Sequence, residues 1–343
     1  MRPIVQWQLV NDPFGDPGVY GEFMFEKRAM LFDLGDIANL SPRKLLRLGH
    51  VFVSHTHMDH FAGFDALLRV LLGRNLRLCL YGPSGFIDQV EHKLRAYTWN
   101  HIRSYGGNLV LDVSEIGPAG SSARASFQSK ESFGREPQAP AVRGENMIAR
   151  AEGFCVRAAT LDHEIPCLAF AFEEKRHVNV WKNRLAEEGL AVGPWLRELK
   201  KAVLADAADE TPIRAAAGGG EETHAVERSL GELKRTVLEI VSGQKIAYVT
   251  DVVYHDDNAA RIAALASEAD ILFIETPFLH EDAEAAAMKR HLTARQAGLI
   301  ARRARAKRMV PFHFSPRYTG RAEDIRREAE AAFAGAGDTA ALR

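Results

Sequence analysis

A strand-like apolar run, Val51-Phe52-Val53, leads straight into Ser54-His55-Thr56-His57-Met58-Asp59-His60. Three imidazoles and a carboxylate within six residues would be costly to bury without a partner of opposite charge. Nitrogen and oxygen donors at this density suit zinc or a similar divalent ion, and two nearby ligand pairs suggest two ions. The alternative is a solvated polar turn that happens to be rich in histidine. We read the segment as a metal site, which constrains the fold to one that brings further ligands to the end of this strand.

Three later segments supply such ligands. Leu161-Asp162-His163-Glu164 precedes the apolar run Ile165–Phe170. Lys245-Ile246-Ala247-Tyr248-Val249-Thr250-Asp251 reads as a buried strand ending in a carboxylate, and Met309-Val310-Pro311-Phe312-His313 as one ending in a histidine. A ligand at a strand end is held by the sheet yet projects into the cleft above it. Singly, each has a plainer meaning, a turn aspartate or a satisfied polar histidine. The ordered set is more specific than its parts.

That order, His-x-His-x-Asp-His, then His, then Asp, then His, resembles the metallo-β-lactamase superfamily, from about Phe32 to Tyr318. The resemblance implies one ion on His55, His57 and His163, another on Asp59, His60 and His313, and Asp251 bridging them. It also implies a metal-bridging hydroxide as nucleophile, with Asp59 orienting the water or taking its proton. The ions are expected to be zinc, with manganese or iron also suited to these donors.

Within the superfamily the chain most resembles ribonuclease Z, the endonuclease that trims the 3′ end of precursor tRNA. The supporting stretches are Phe32-Asp33-Leu34-Gly35-Asp36, Tyr81-Gly82-Pro83, His291-Leu292-Thr293 and His313-Phe314-Ser315-Pro316-Arg317-Tyr318. By this resemblance His291, steered by Glu275, protonates the leaving oxygen, and Arg317 meets a phosphate through paired hydrogen bonds. Two departures stand out. Ile274-Glu275-Thr276-Pro277 replaces the family's His-Glu-Ala-Thr, keeping the glutamate and losing the histidine, and Ile37-Ala38-Asn39 follows Asp36 in place of the fuller Gly-Glu-Gly-Thr opening. Residues 173–205, with the turn Gly193-Pro194, match the position of the family's inserted helical arm, which grips tRNA in a homodimer. The plainer reading of that segment is a helix pair packed on its own domain, or a dimer contact.

Composition bounds the rest. With 343 residues and 46% apolar content, the chain has material for one large metallo-hydrolase domain, residues 1–343. Apolar runs alternating with helical patterns predict an α/β fold, and the resemblance implies that it is a metallo-β-lactamase-type αββα sandwich with an inserted arm. Residues 117–150 and 205–227 read as flexible loops. A formal charge of −1 and a pI near 6.9 give no global field for nucleic acid. A basic run from Lys289 to Arg308 stands out locally, where Thr293 is expected to cap a helix. The isolated Cys79, Cys155 and Cys167 look like core residues in a reducing compartment. No apolar stretch suggests a membrane span, so a cytoplasmic enzyme acting on precursor tRNA is expected. The same metal core would also suit a hydrolase of a small phosphodiester, sulfate ester or lactone. A non-catalytic RNA-binding homologue is the third reading, and the intact ligand set argues against it.

Overall fold

A computed structural model describes residues 5–117, 122–140, 146–151, 153–218, 224–241 and 243–335. It divides into two compact units, Met1–Glu173 with Gln244–Arg343, and Glu174–Gly243. In the first unit, eight strands are hydrogen-bonded in chain order: β1 (Val5–Leu9), β2 (Val19–Phe23), β3 (Ala29–Phe32), β4 (Leu48–Phe52), β5 (Leu76–Pro83), β6 (Leu109–Ile116), β7 (Ser122–Gln128) and β8 (Arg135–Gln138). A second sheet begins with β9 (Met147–Ala151), β10 (Phe154–His163) and β11 (Ile165–Glu174). The other unit then contributes β12 (His177–Val180), β13 (Pro212–Ala217), β14 (His224–Ser229) and β15 (Leu238–Val241). The chain returns to the second sheet with β16 (Lys245–Val249), β17 (Ile271–Glu275) and β18 (Met309–Phe312), in the order β18-β17-β16-β11-β10-β9.

The layering follows from the two-residue period of a strand. In β3, Met30 and Phe32 point between the sheets while Ala29 and Leu31 point outward; in β16, Ile246 and Tyr248 point inward while Ala247 and Val249 point outward. Phe32 lies at the centre of the inter-sheet core, 5.6 Å from the rings of Trp7, Phe170 and Tyr248 and 5.3 Å from Phe52. The outer faces are covered by helices whose apolar residues recur at helical spacing. Phe64, Leu67, Leu68 and Leu71 of the helix Phe64–Leu71 cover the first sheet, and Ala297, Ile300 and Ala301 of the helix Ala294–Arg303 cover the second. The result is the expected αββα sandwich. Strands β3 to β6 run parallel, as do β16 to β18. Among the described residues no helix is long and apolar enough to cross a membrane.

Three sequence expectations are corrected. Residues 117–150 are not simply loop: β7 pairs with β6 and β8, and Ala125 and Phe127 are buried. Residues 205–227 hold β13 and most of β14, in register from Pro212↔Ser229 to Ala217↔His224. β7 buries Ala125, Ser126 and Phe127, β13 buries Ile213 and Ala215, and β14 buries no residue, so the apolar signal of these strands is weak. Residues 118–121, 141–145 and 219–223 of these two segments lie outside the described residues. The arm, in turn, is not a helix pair over 173–205 within a single domain. It is a unit over 174–243 in which the helices Lys182–Glu187, Trp195–Leu204 and Leu230–Thr236 share a core with the two small sheets. Trp195 is buried there and donates its indole N–H to Ala191 O at 2.9 Å. Glu173 and Lys245 are direct ladder partners in the first unit, so the insert leaves and re-enters at one point of a β-ladder.

Because Phe32 is fully buried among four aromatic rings, Phe32→Ala is expected to cost about 3–5 kcal/mol of folding stability. Urea denaturation would read this as a lower midpoint at unchanged slope.

Candidate metal centre

Every ligand expected from the sequence lies at or just past the C-terminal end of a strand. β4 delivers His55, His57, Asp59 and His60 through a loop and the short helix Met58–Phe61. β10 ends on His163, Asp251 follows β16, Glu275 ends β17 and His313 follows β18. The strand ends turn sharply: Asp251 and His313 have φ of 41° and 58°, in the left-handed region. Close backbone approach does the rest. A Cβ on Gly35 would lie 1.9 Å from the Asp59 carbonyl oxygen, so only glycine lets the loop after β3 support the β4 loop.

The side chains form three overlapping groups of metal-ligating atoms, each within 4.8 Å: His55, His57, His163 and Asp251; Asp59, His60 and His313; and Asp251, Glu275, His291 and His313. Asp251 faces two ways. Its Oδ2 lies 3.7 Å from His55 Nε2 and 3.5 Å from His163 Nε2, while its Oδ1 lies 3.4 Å from His60 Nε2 and 3.1 Å from His313 Nδ1. Asp59 Oδ2 is 3.4 Å from both His60 Nε2 and His313 Nε2. Most of these separations are long for hydrogen bonds. Two donors on one zinc ion, each about 2.0–2.1 Å away in tetrahedral array, would stand roughly 3.4 Å apart.

Burial tests the fit further. His55 Nε2 and His60 Nε2 are buried and have no hydrogen-bond partner, which is costly unless a cation meets them. Burial and the neighbouring histidines pull the His55 pKa down to about 2, so its ring is a neutral donor. Burial disfavours charge on His60, but Asp251 and Asp33 outweigh it and hold its pKa well above the usual value. Positive charge is therefore wanted at this point, whether a proton or a metal carries it. Asp33, Asp59, Asp251 and Glu275 together bring a formal charge that two dications would neutralise.

The supporting residues were less visible in the sequence. Asp33 follows β3 with φ 59° and is buried. Its carboxylate accepts from Ser54 N at 2.6 Å, Ser54 Oγ at 2.9 Å and Tyr248 OH at 2.7 Å, and lies 2.8 Å from His60 Nδ1. This bond would fix the His60 tautomer and aim Nε2 at the cluster. His163 is held likewise, Nδ1 to Arg290 O at 2.9 Å. In the sequence Asp33 stands out only as part of the Phe32–Asp36 motif, and nothing local marks Tyr248. Cys167 is buried beside the site, its Sγ 3.8 Å from His55 Nδ1 and 3.4 Å from Thr250 O, outside all three groups.

His291 Nδ1 lies 2.9 Å from Glu275 Oε2, and Glu275 Oε1 also accepts from Leu292 N at 3.0 Å and Val252 N at 3.1 Å. Burial alone would lower the His291 pKa, but Glu275 raises it overall. Ile274, which stands where the resembled family has a histidine, points into the helix-covered core, away from the carboxylate of Glu275. His280, the other histidine of this region, sits 3.1 Å from Thr293 Oγ1. Thr293 caps the following helix, with a full capping box to Gln296. Arg317 stands 3.4 Å from Asp282 and 5.8 Å over the Phe278 ring. Asp59, His291 and His313 open onto a cleft of about 260 Å³, also lined by Phe14, Phe278 and Lys289. Gly193 and Pro194 belong to the other unit, where Pro194 begins the helix Trp195–Leu204.

Removing the phenol hydroxyl that Tyr248 gives to Asp33 leaves a buried carboxylate short of one donor. Tyr248→Phe is expected to cost about 1–3 kcal/mol of stability. Zinc affinity, measured by titration against a chromogenic chelator, should fall about ten-fold or more.

Comparison with known proteins agrees with this geometry. A family model described as beta-lactamase superfamily domain matches residues 197–314. Ribonuclease Z of Thermobifida fusca is 37% identical over 330 residues, covering 92% of this chain and 83% of that protein. Ribonuclease Z of Deinococcus radiodurans is 32% identical over 274 residues, covering 78% and 76%. The crystal structure of human tRNase Z, short form (ELAC1), superposes with a TM-score of 0.52 at 19% identity, over 91% of this chain and 93% of that one, a likeness of fold. Similarity of this extent, on a chain that gathers this ligand set, places the protein in the ribonuclease Z family of the beta-lactamase superfamily, as a metal-dependent hydrolase.

Proposed function

We propose that the protein is an endoribonuclease that processes the 3′ end of precursor tRNA with two divalent ions, zinc being the best match to its donors. The observation that carries this reading is Asp251, whose two carboxylate oxygens face different ligand groups beside the His291–Glu275 pair. His55, His57 and His163 would hold one ion, Asp59, His60 and His313 the other, and Asp251 both. Such ions, when bound, make a nucleophile of water at neutral pH and offset the charge that gathers on phosphoryl oxygens.

The chain's own residues supply the rest. Asp59 is 42% exposed on its side chain and lines the cleft, so it would orient the attacking water and take its proton. Glu275 is fixed by two backbone N–H groups and engages His291 Nδ1, so the ring's other nitrogen is free to act. With its pKa raised by Glu275, His291 carries a proton to give. It would protonate the 3′-oxygen as the P–O3′ bond breaks, leaving a 3′-hydroxyl on the tRNA. Arg317 would contact substrate phosphate. The unit over 174–243, with its Gly193-Pro194 turn, would grip tRNA from the neighbouring protomer of a homodimer, and a cytoplasmic location follows from that substrate.

Two substrates test this: a precursor tRNA with a 3′ trailer, and bis-p-nitrophenyl phosphate. Asp251→Asn is expected to lose at least about 10²-fold on both. His291→Ala should lose about 10²–10⁴-fold on tRNA but less on the diester, since p-nitrophenolate departs without a proton. Replacing residues 174–243 by a short turn joins Glu173 to Gln244 where the ladder already pairs Glu173 with Lys245. That variant should keep diester hydrolysis and lose tRNA cleavage. Wild type that cuts the diester but never the tRNA would refute the substrate assignment.

A further inference from the structure

Lys289 is not a metal ligand, has no partner in the catalytic pair and drew attention in the sequence only as one member of a basic run. In the structure that run disperses. Lys307 pairs with Asp270 at 2.7 Å, Arg305 with Glu268, and Arg290 lies 3.6 Å from Glu164. Lys289 alone of them lines the cleft shared by Asp59, His291 and His313, and among the described residues it is the one lysine or arginine on that wall. Its ammonium stands 6.0 Å over the Phe278 ring, and no described carboxylate pairs with it. Arg317 reaches the same ring from 5.8 Å but is shared with Asp282.

The backbone around Lys289 is fixed by the same turn that carries the proposed acid. Lys289 N donates to Ala285 O at 3.1 Å and His291 N to Ala286 O at 2.9 Å. Between them Arg290 takes φ 62° and offers its carbonyl to His163. The backbone of Lys289 is therefore placed relative to His291 by a braced loop, while the side chain itself is exposed and reaches the Phe278 ring.

We propose that Lys289 is a substrate-positioning residue that binds the phosphate one nucleotide upstream of the scissile bond. This rests on the tRNA-processing reading above. In that reading His291 meets the 3′-oxygen of the upstream nucleotide, so a cation two residues away on the same turn faces that nucleotide. The scissile phosphate would be neutralised by the ions that the ligand groups would hold, whereas the next phosphate along the strand would meet none of them. Asp16 and Asp59, on the same wall, would repel that phosphate, which makes a compensating ammonium more necessary. Phe278 holds the lysine over its ring without neutralising it.

The test uses the intact zinc-loaded protein and two precursor tRNAs, one natural and one with a methylphosphonate at the upstream linkage, which removes that single charge. Wild type is expected to show about a ten-fold higher KM on the neutralised substrate with a smaller change in kcat. Lys289→Ala should show the same rise on the natural substrate and no further rise on the neutralised one, and Lys289→Arg should recover most of it. The salt dependence of log KM should flatten by about 0.7 for Lys289→Ala. A wild type indifferent to the methylphosphonate would overturn the proposal, as would losses that multiply in Lys289→Ala. Wild type that hydrolyses bis-p-nitrophenyl phosphate but leaves both tRNAs uncut would overturn the tRNA reading and this inference with it.

Discussion

Four carboxylates brought to one end of two sheets, three of them buried, are the constraint on which the rest of the structure depends. Asp33, Asp251 and Glu275 lie in a region where an unpaired charge would cost several kcal/mol. Each is therefore surrounded by donors: Ser54, Tyr248 and His60 for Asp33, backbone N–H groups and His291 for Glu275, and Thr250 with the histidines for Asp251. These donors do not suffice. Buried imidazole nitrogens remain without partners, and the site as built is complete only with cations. The folded chain and its metals are thus one electrostatic unit, and binding the ions contributes to holding the strand ends together.

The backbone conformations at these positions agree with that view. Asp33, Asp251 and His313 all occupy the left-handed region, at a cost of order 1–3 kcal/mol each for a residue with a side chain. Aspartate and histidine are found in that region more often than most residues with a side chain. The parallel strands beneath are buried on both faces and cannot shift, so the strain is borne by a rigid floor. Tyr248 ties that floor across the sandwich, because it belongs to the second sheet and bonds an aspartate of the first. The same residue that packs on Phe32 thereby reaches the ligand His60 through Asp33.

Much of this was legible in the chain. The ligand-dense loop after β4 and the lone ligands at three other strand ends are chemical anomalies beside apolar runs, and each lies where the structure gathers them. The α/β class was legible too, because strands buried on both faces read as continuous apolar stretches, whereas the αββα layering was expected from the resemblance. The strands β7, β8, β13 and β14 were not. β8 and β14 have no buried residue and β13 offers mainly alanine, so pairing with neighbours rather than local pattern makes these segments strands. The same weakness hid the true extent of the inserted unit, whose core draws on Leu230 and Leu238 far beyond the helix pair.

What the sequence determined by itself is the inventory: which side chains can bind a cation, in what order, and at the ends of which strands. Those are properties of residue type and spacing. Only the tertiary structure decided which of their ligand atoms stand within 4.8 Å of one another, that Asp251 turns one oxygen to each group, that Asp33 and Tyr248 stand behind His60, and that Lys289 rather than the rest of its basic run reaches the cleft. The physical reason is distance. Donor sharing and charge neutralisation act over a few ångströms, between residues as far apart in the chain as Asp59 and His313.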